Sequence, residues 1–181
     1  KGKGVILITG HFGNWERLSA WLSSHDYKLS VIIRDASNVR LNTMVNELRQ
    51  TNGTEVIPRG NAARPIIERL RRNELVGILP DQNIDELYVP FFGKPAGTVA
   101  GPGVLAERTG AAVVPMYCPW VGSQQYRMII RPELIPDQGG VKGEGMMRAI
   151  NRSLEEIIRE YPEQWLWFHD RWRTARRKGL L

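Results

Sequence analysis

The chain has 181 residues, of which 42% are hydrophobic and 24% charged, a composition that suits one globular domain with a substantial core. Its 25 lysines and arginines against 19 acidic residues give a formal net charge of +6, which indicates an anionic partner such as nucleic acid, anionic lipid or an acidic protein. The single cysteine, Cys118, excludes an internal disulfide framework, and three histidines without a Cys/His cluster predict no metal.

The sequence contains no signal peptide and no stretch approaching the roughly 20 apolar residues of a membrane-spanning helix. The chain begins at Lys1, shortly before an apolar strand. We therefore expect that it is cut from a longer protein.

Short apolar runs alternate with segments of helical periodicity along the whole chain. An apolar run at 5–8 predicts a buried strand, and Asn14 is a suitable N-cap for the helix that follows. Further strands are predicted at 29–33, 55–57, 75–79 and 111–117, with helices at 38–51, 61–73, 100–109 and 145–161. The run at 126–131 suits an antiparallel neighbour of 111–117, and 88–98 reads as irregular.

This alternation predicts the fold class. Strands that alternate with helices are typical of an α/β protein with a mostly parallel, mixed sheet and helices on both faces. No repeat or linker interrupts the pattern, so we expect residues 1–181 to form a single domain.

The first strand-to-helix turn carries the most informative pair of residues. His11 follows the strand and Glu16 lies in the first turn of the next helix. A carboxylate bonded to one imidazole nitrogen leaves the other free as a base, so the pair predicts a His/Glu dyad that deprotonates a hydroxyl. Alternatively, His11 is a loop residue and Glu16 is favoured there by the helix dipole. Because ligands bind at strand ends in α/β sheets, we favour catalysis.

Other candidate residues also follow predicted strands. Asp81 either orients a sugar head group or a basic side chain, or caps a turn. Gly93 and Thr98 flank a Pro/Gly-rich loop suited to close approach of a phosphate, with Lys94 as a point charge; the alternative is a rigid connecting loop.

If the deprotonated hydroxyl attacks a carbonyl carbon, the oxyanion that forms needs hydrogen-bond donors. Backbone N–H groups at the helix start after Asn14 are one source. Arg34 ends the second strand and is our first choice among side chains, followed by Arg59. Each arginine is otherwise a solvated charge at a loop end.

Four blocks in this order carry a resemblance to a known family: TGHFGNWE at 9–16, PDQ at 80–82, FFGKPAGT at 91–98 and PEQWLW at 162–167. The sequence resembles the bacterial lipid A biosynthesis acyltransferases (lauroyl and myristoyl transferases), which belong to the glycerol-phosphate acyltransferase-like superfamily. The resemblance extends from residue 4 to about 176. It implies an αβα acyltransferase core that lacks the N-terminal membrane-anchoring segment of family members.

The resemblance also implies an activity. Family members transfer a fatty acyl chain from the thioester of acyl carrier protein to a hydroxyl of a lipid A precursor, without a further cofactor or metal, at the cytoplasmic face of the bacterial inner membrane. His11 takes the family's base role and Glu16 that of its partner. Phosphatidylinositol mannoside, another glycolipid or glycerol phosphate is an alternative acceptor, and acyl-CoA an alternative donor.

The C-terminal segment suggests how such a protein meets its partners. Five cations lie next to three tryptophans, a combination typical of a membrane-interface patch. The same cations suit acidic acyl carrier protein. The residues concerned are Trp165, Trp167 and Trp172 with Arg171, Arg173, Arg176, Arg177 and Lys178. A nucleic-acid-binding module is the rival from another class, but the cations are spread over both halves of the chain without a recognised binding motif, so we expect no nucleic acid partner.

Overall fold

Strands and helices alternate through the part of the chain that the structure, a computed structural model, describes: residues 2–33 and 39–181. The first half contains β1 (Val5–Ile8), α1 (Trp15–Ser24), β2 (Leu29–Ile33), α2 (Val39–Thr51), β3 (Glu55–Pro58), a 3-10 turn (Arg59–Asn61), α3 (Ala63–Arg71) and β4 (Leu75–Ile78). The second half contains β5 (Leu87–Phe91), β6 (Lys94–Thr98), α4 (Gly101–Thr109), β7 (Ala112–Tyr117), β8 (Trp120–Gly122), β9 (Gln125–Tyr126), β10 (Ile129–Ile130), α5 (Glu144–Glu160), a second 3-10 turn (Pro162–Gln164) and α6 (Arg173–Arg177).

Six strands form the central sheet, in the order β10-β7-β1-β4-β2-β3. The strands β1, β2, β3, β4 and β7 run parallel where they pair, and β10 is antiparallel to β7 at the edge. The predicted α/β fold with a mostly parallel, mixed sheet is therefore confirmed. β1 lies between β4 and β7, which places the turn after β1 near the middle of the carboxyl edge.

The two faces of the sheet are covered by separate apolar clusters, because side chains alternate along each strand. Ile6 and Ile8 of β1 belong to the larger cluster, which contains residues from α3, α4 and α5. Leu7 points to the opposite face and packs in a smaller cluster with Leu18 and Leu22 of α1. Helices on one face thus bury Ile6 and Ile8 completely, and α1 on the other face buries Leu7.

The segment expected to be irregular, 88–98, is instead a regular hairpin. β5 and β6 pair antiparallel with Pro90 opposite Pro95, and Phe92 and Gly93 form the turn with positive φ angles of 50° and 73°. Proline argues against a central strand because it cannot donate to both neighbours. In a two-stranded hairpin each strand has one free edge, so both prolines are accommodated.

Candidate active site

Two turns meet at the carboxyl edge of the sheet. β1 and β4 are parallel neighbours in register, with Ile8 opposite Ile78. The turn that carries His11 therefore lies beside the turn that carries Asp81. Ligand sites of α/β proteins are found at this edge.

Asp81 is the carboxylate that binds the His11 side chain. Its Oδ1 lies 2.8 Å from Nδ1 of the imidazole, and its Oδ2 accepts the His11 backbone N–H at 2.8 Å. Oδ2 also accepts the indole N–H of Trp165 at 3.0 Å. A carboxylate at Nδ1 holds the proton on that nitrogen, which leaves the Nε2 lone pair as the acceptor.

The surroundings keep Asp81 ionised although its side chain is only 2% exposed. Burial raises the pKa of its carboxyl, but the hydrogen bond and charge of His11 and the Trp165 hydrogen bond outweigh that effect and lower the pKa below its usual value. The His11 side chain is 24% exposed and thus accessible to a substrate. The amide nitrogen of Gln82 lies 3.5 Å from its Nε2.

Glu16 lies in the first turn of α1, as predicted, but its side chain pairs with Arg49 rather than with His11. Its Oε2 accepts from Nε of Arg49 at 3.0 Å, and its Oε1 accepts from a second guanidinium nitrogen of the same arginine. The expected hydrogen bond between Glu16 and His11 is thus corrected to one between Asp81 and His11. Arg49 offers Glu16 two charged donors side by side, which hold the carboxylate in a bidentate pair. Asp81 reaches the imidazole from 70 residues away because β1 and β4 are neighbouring parallel strands.

A cavity of about 860 Å³ borders His11 and Glu16. Aliphatic side chains from β2, α3 and α4 form much of its wall, including Val31, Ile66 and Leu105. Its polar wall includes Gln82 of the PDQ block and Arg173 of the C-terminal segment. It also includes three side chains that sequence analysis did not single out, namely Arg49, Arg108 and His169. The volume and the mixed lining suit a ligand with a long apolar part and a polar part.

Of the two arginines predicted to stabilise an oxyanion, only Arg59 lies within the described residues. Arg59 lies in the turn after β3 and borders the cavity. Arg34 lies outside the described residues. His169 also borders the cavity, but its Nε2 already accepts the backbone N–H of Asn83 at 2.7 Å, and burial lowers its pKa. Its acceptor nitrogen is therefore occupied.

The loop expected to bind phosphate does not join this site. Gly93 and Lys94 are exposed at the tip of the β5–β6 hairpin, and neither they nor Thr98 belong to the described lining of the cavity. Thr98 is fully buried; its hydroxyl donates to the Ala96 carbonyl and accepts from Arg171 at 2.7 Å. Phosphate binding by this loop, like the alternative of a rigid connecting element, stays a prediction.

The basic C-terminal segment divides into buried and exposed parts. Arg171 is fully buried, donates to the Gly97 carbonyl as well as to Thr98, and has its pKa lowered to about 10 by burial. The prediction that Arg171 belongs to a surface patch is therefore wrong. Trp165 is buried, whereas Trp167 and Phe168 are 52% and 99% exposed.

Within residues 2–33 and 39–181, no group of three or more His, Cys, Asp or Glu residues has an arrangement that could hold a metal ion. The helices in those ranges are all too short or too polar to cross a bilayer.

A histidine–aspartate pair beside a large, mostly aliphatic cavity, at the carboxyl edge of an α/β sheet, is typical of an enzyme whose substrate carries an apolar chain. Comparison with known proteins agrees with this class. A family model described as "Bacterial lipid A biosynthesis acyltransferase" matches residues 1–174. The chain belongs to that family, which confirms the resemblance.

Individual relatives have different named acceptors. The chain is 28% identical over 177 residues to the phosphatidylinositol mannoside acyltransferase of Mycolicibacterium smegmatis, covering 94% of this chain and 57% of the relative. It is 25% identical to a lipid A biosynthesis acyltransferase of Haemophilus influenzae (97% and 56% covered) and 27% identical to the lipid A biosynthesis palmitoleoyltransferase of Escherichia coli (96% and 57%). The chain thus spans a little over half the length of these relatives.

Proposed function

We propose that the protein transfers a fatty acyl group from a thioester to a hydroxyl of a lipid acceptor, with His11 as the general base. The observation that carries this proposal is the hydrogen bond between Asp81 and Nδ1 of His11, at the edge of a cavity of about 860 Å³. Membership of the family supports acyl transfer to a lipid.

The chemistry follows from the His11–Asp81 pair. Nε2 of His11 takes the hydroxyl proton of the acceptor while the oxygen attacks the thioester carbonyl carbon. Asp81 stabilises the imidazolium that forms. When the carbon–sulfur bond breaks, the imidazolium returns its proton to the departing thiolate. The base is therefore neutral again at the end of each turnover.

The negative charge of the tetrahedral intermediate needs a donor in the cavity. Arg59 borders the cavity and is our candidate among the predicted arginines, and the Gln82 amide beside Nε2 of His11 offers a neutral donor. The proposed role of Glu16 is to hold Arg49 in the cavity wall by their bidentate ion pair. A His11–Glu16 dyad remains the rival assignment for the acid–base step.

For the substrates we propose acyl carrier protein thioester as donor and a lipid A precursor as acceptor, at the cytoplasmic face of the inner membrane. Membership of the lipid A biosynthesis acyltransferase family supports this acceptor. The mycobacterial relative favours the alternative, a phosphatidylinositol mannoside, and its 28% identity lies too close to the 25–27% of the lipid A enzymes to decide between them.

A membrane contact is proposed beside the active site. Leu166, Trp167 and Phe168 are consecutive exposed apolar residues, between buried Trp165 and cavity-lining His169. Exposed arginines of α6 follow within ten residues. Aromatic residues favour the headgroup region and cations favour anionic lipid, so this segment suits a bilayer from which a lipid acceptor enters.

The test is an acyl-transfer assay with the full-length protein. Acyl carrier protein and coenzyme A thioesters are each offered with a lipid A precursor, a phosphatidylinositol mannoside and glycerol 3-phosphate, and products are identified by mass spectrometry. We expect acylation of the lipid A precursor from acyl carrier protein. Activity on glycerol 3-phosphate alone contradicts the proposed acceptor, and no transfer to any hydroxyl contradicts the proposed function.

A further inference from the structure

The indole of Trp165 contacts the carboxylate behind the proposed base. Trp165 is 4% exposed, and its Nε1–H donates to Oδ2 of Asp81 at 3.0 Å. Oδ2 is also bound by the backbone N–H of His11, while Oδ1 faces Nδ1 of the imidazole. Two donors therefore hold one carboxylate oxygen and direct the other at His11.

The backbone fixes this indole relative to the His11 turn. Phe12 and Trp165 form an antiparallel bridge. On either side of it, the Leu166 N–H donates to the His11 carbonyl at 3.0 Å and the Gly13 N–H donates to the Gln164 carbonyl at 2.9 Å. The segment that carries the indole is thus bonded directly to the segment that carries the base.

We propose that Trp165 is a positioning residue for the acid–base step: its indole N–H orients Asp81 so that Oδ1 holds the proton of His11 on Nδ1. This inference rests on the proposed function of His11. Without the indole donor, one buried carboxylate oxygen loses a partner, and a buried charged acceptor without its donor is costly. The carboxyl group then rotates or takes up a proton. The tautomer of His11 with its proton on Nδ1 is then less strongly favoured, so Nε2 is less often available as the base.

A simpler role for Trp165 is that of a core aromatic residue. Its ring packs against Phe91 and Trp167, at centroid distances of 5.5 and 4.7 Å. Trp165→Phe separates the two roles, because phenylalanine keeps an aromatic ring in the core and lacks only the N–H donor and part of the ring volume.

Trp172→Phe is the matched control. The Trp172 ring packs against the same Phe91, at 5.8 Å, and its indole donates at 3.3 Å to the Phe91 carbonyl rather than to Asp81. Both variants therefore lose an indole donor beside one core phenylalanine, but only Trp165→Phe removes a bond to the Asp81 carboxylate.

Two measurements on the free, full-length protein test the positioning role without substrate. We expect ¹⁵N NMR to show His11 as the Nδ1–H tautomer in wild type and Trp172→Phe, and as a mixture in Trp165→Phe. We expect ¹³C NMR to show a raised pKa of the Asp81 carboxyl in Trp165→Phe alone, because a donor to the ionised form is lost.

Steady-state kinetics of acyl transfer supply the third measurement. In Trp165→Phe kcat falls about 10- to 100-fold, as expected for a lost hydrogen bond to a charged group, while KM changes little. An unchanged His11 tautomer and an unchanged Asp81 pKa in Trp165→Phe overturn the proposal, as does an equal loss of kcat and of stability in both variants. Because the NMR readouts need no substrate, a wild type that acylates nothing overturns the proposed function separately.

Discussion

The carboxylates of Asp81 and Glu16 differ in what they contact, and this difference decides which is the partner of His11. Asp81 is buried and bonds Nδ1 of the imidazole, whereas the Glu16 side chain is 43% exposed and paired with Arg49. A buried carboxylate has a larger effect on an adjacent imidazolium than a solvent-screened one.

Asp81→Asn is therefore expected to lower kcat by about 10²- to 10⁴-fold, comparable to His11→Ala, because the charge that stabilises the imidazolium is lost. Glu16→Gln retains the shape of the side chain and is expected to lower kcat by less than about tenfold, since the Glu16 carboxylate is paired with Arg49 and the imidazole with Asp81. Steady-state rates of the three variants provide the measurement. Near-normal turnover of Asp81→Asn with a severe loss in Glu16→Gln shows the His11–Glu16 dyad instead.

The lowered pKa of Asp81 also predicts how stability depends on pH. A carboxyl whose pKa is lower in the folded than in the unfolded chain stabilises the fold fully above the unfolded value, about 3.9, and loses this contribution as the pH falls through the folded value. The difference in free energy of unfolding between wild type and Asp81→Asn is thus expected to shrink below about pH 4. Urea unfolding at a series of pH values measures it. A difference that grows as the pH falls below 4 contradicts the assigned ionisation.

Among the elements, the turn between β1 and α1 depends on a glycine. Gly13 has a φ of +55°, and a Cβ atom there lies 2.5 Å from the Cys118 carbonyl oxygen. Gly13→Ala is therefore expected to destabilise the fold by about 1–3 kcal/mol, measured by denaturant unfolding. Gly60→Ala is the control, because no atom lies within 4 Å of a Cβ at that position. Equal stability of both variants contradicts this account of the turn.

The exposed segment from Leu166 to Phe168 allows a test of membrane contact. Phe168→Asp places a charge at the most exposed apolar position, and we expect it to weaken binding to phosphatidylglycerol vesicles several-fold in co-sedimentation. Ile135→Asp, at a residue that is 75% exposed between β10 and α5, serves as the control. If both substitutions weaken binding equally, or neither does, this segment is not the membrane contact.

Local patterns predicted the elements well and contacts between distant elements poorly. The alternation of apolar runs and helical periodicity was sufficient for the α/β fold. Asp81 was recognised as a residue at a strand end, with a basic side chain among its possible partners, but its bond to His11 depends on β1 and β4 being neighbours. A single sequence does not specify that neighbour relation.

Burial of charged residues was the other feature that local patterns could not show. Arg171 was grouped with the exposed cations around it, and only the packing of the C-terminal segment against the β5–β6 hairpin shows that it is buried. Trp165 was likewise one of several tryptophans in an aromatic run. Its position in the PEQWLW block at 162–167 gave no indication of a bond to Asp81.

At the scale of the whole molecule, the shape of the cavity alone does not determine which acyl donor and which acceptor the protein uses. A cavity of about 860 Å³ accepts apolar chains of many kinds, and the relatives act on two classes of glycolipid by their names. The acceptor is therefore identified by analysing the lipid products rather than from the fold.

Mass spectrometry of the lipids from cells that lack this gene tests His11-dependent lipid acylation most directly. We expect one glycolipid, lipid A in the first instance, to lose a single acyl chain, to regain it when the wild-type gene is returned, and not to regain it with His11→Ala. Restoration by His11→Ala, or an unchanged acyl pattern in every lipid after the gene is removed, contradicts the assignment of His11 as the base of a lipid acyltransferase.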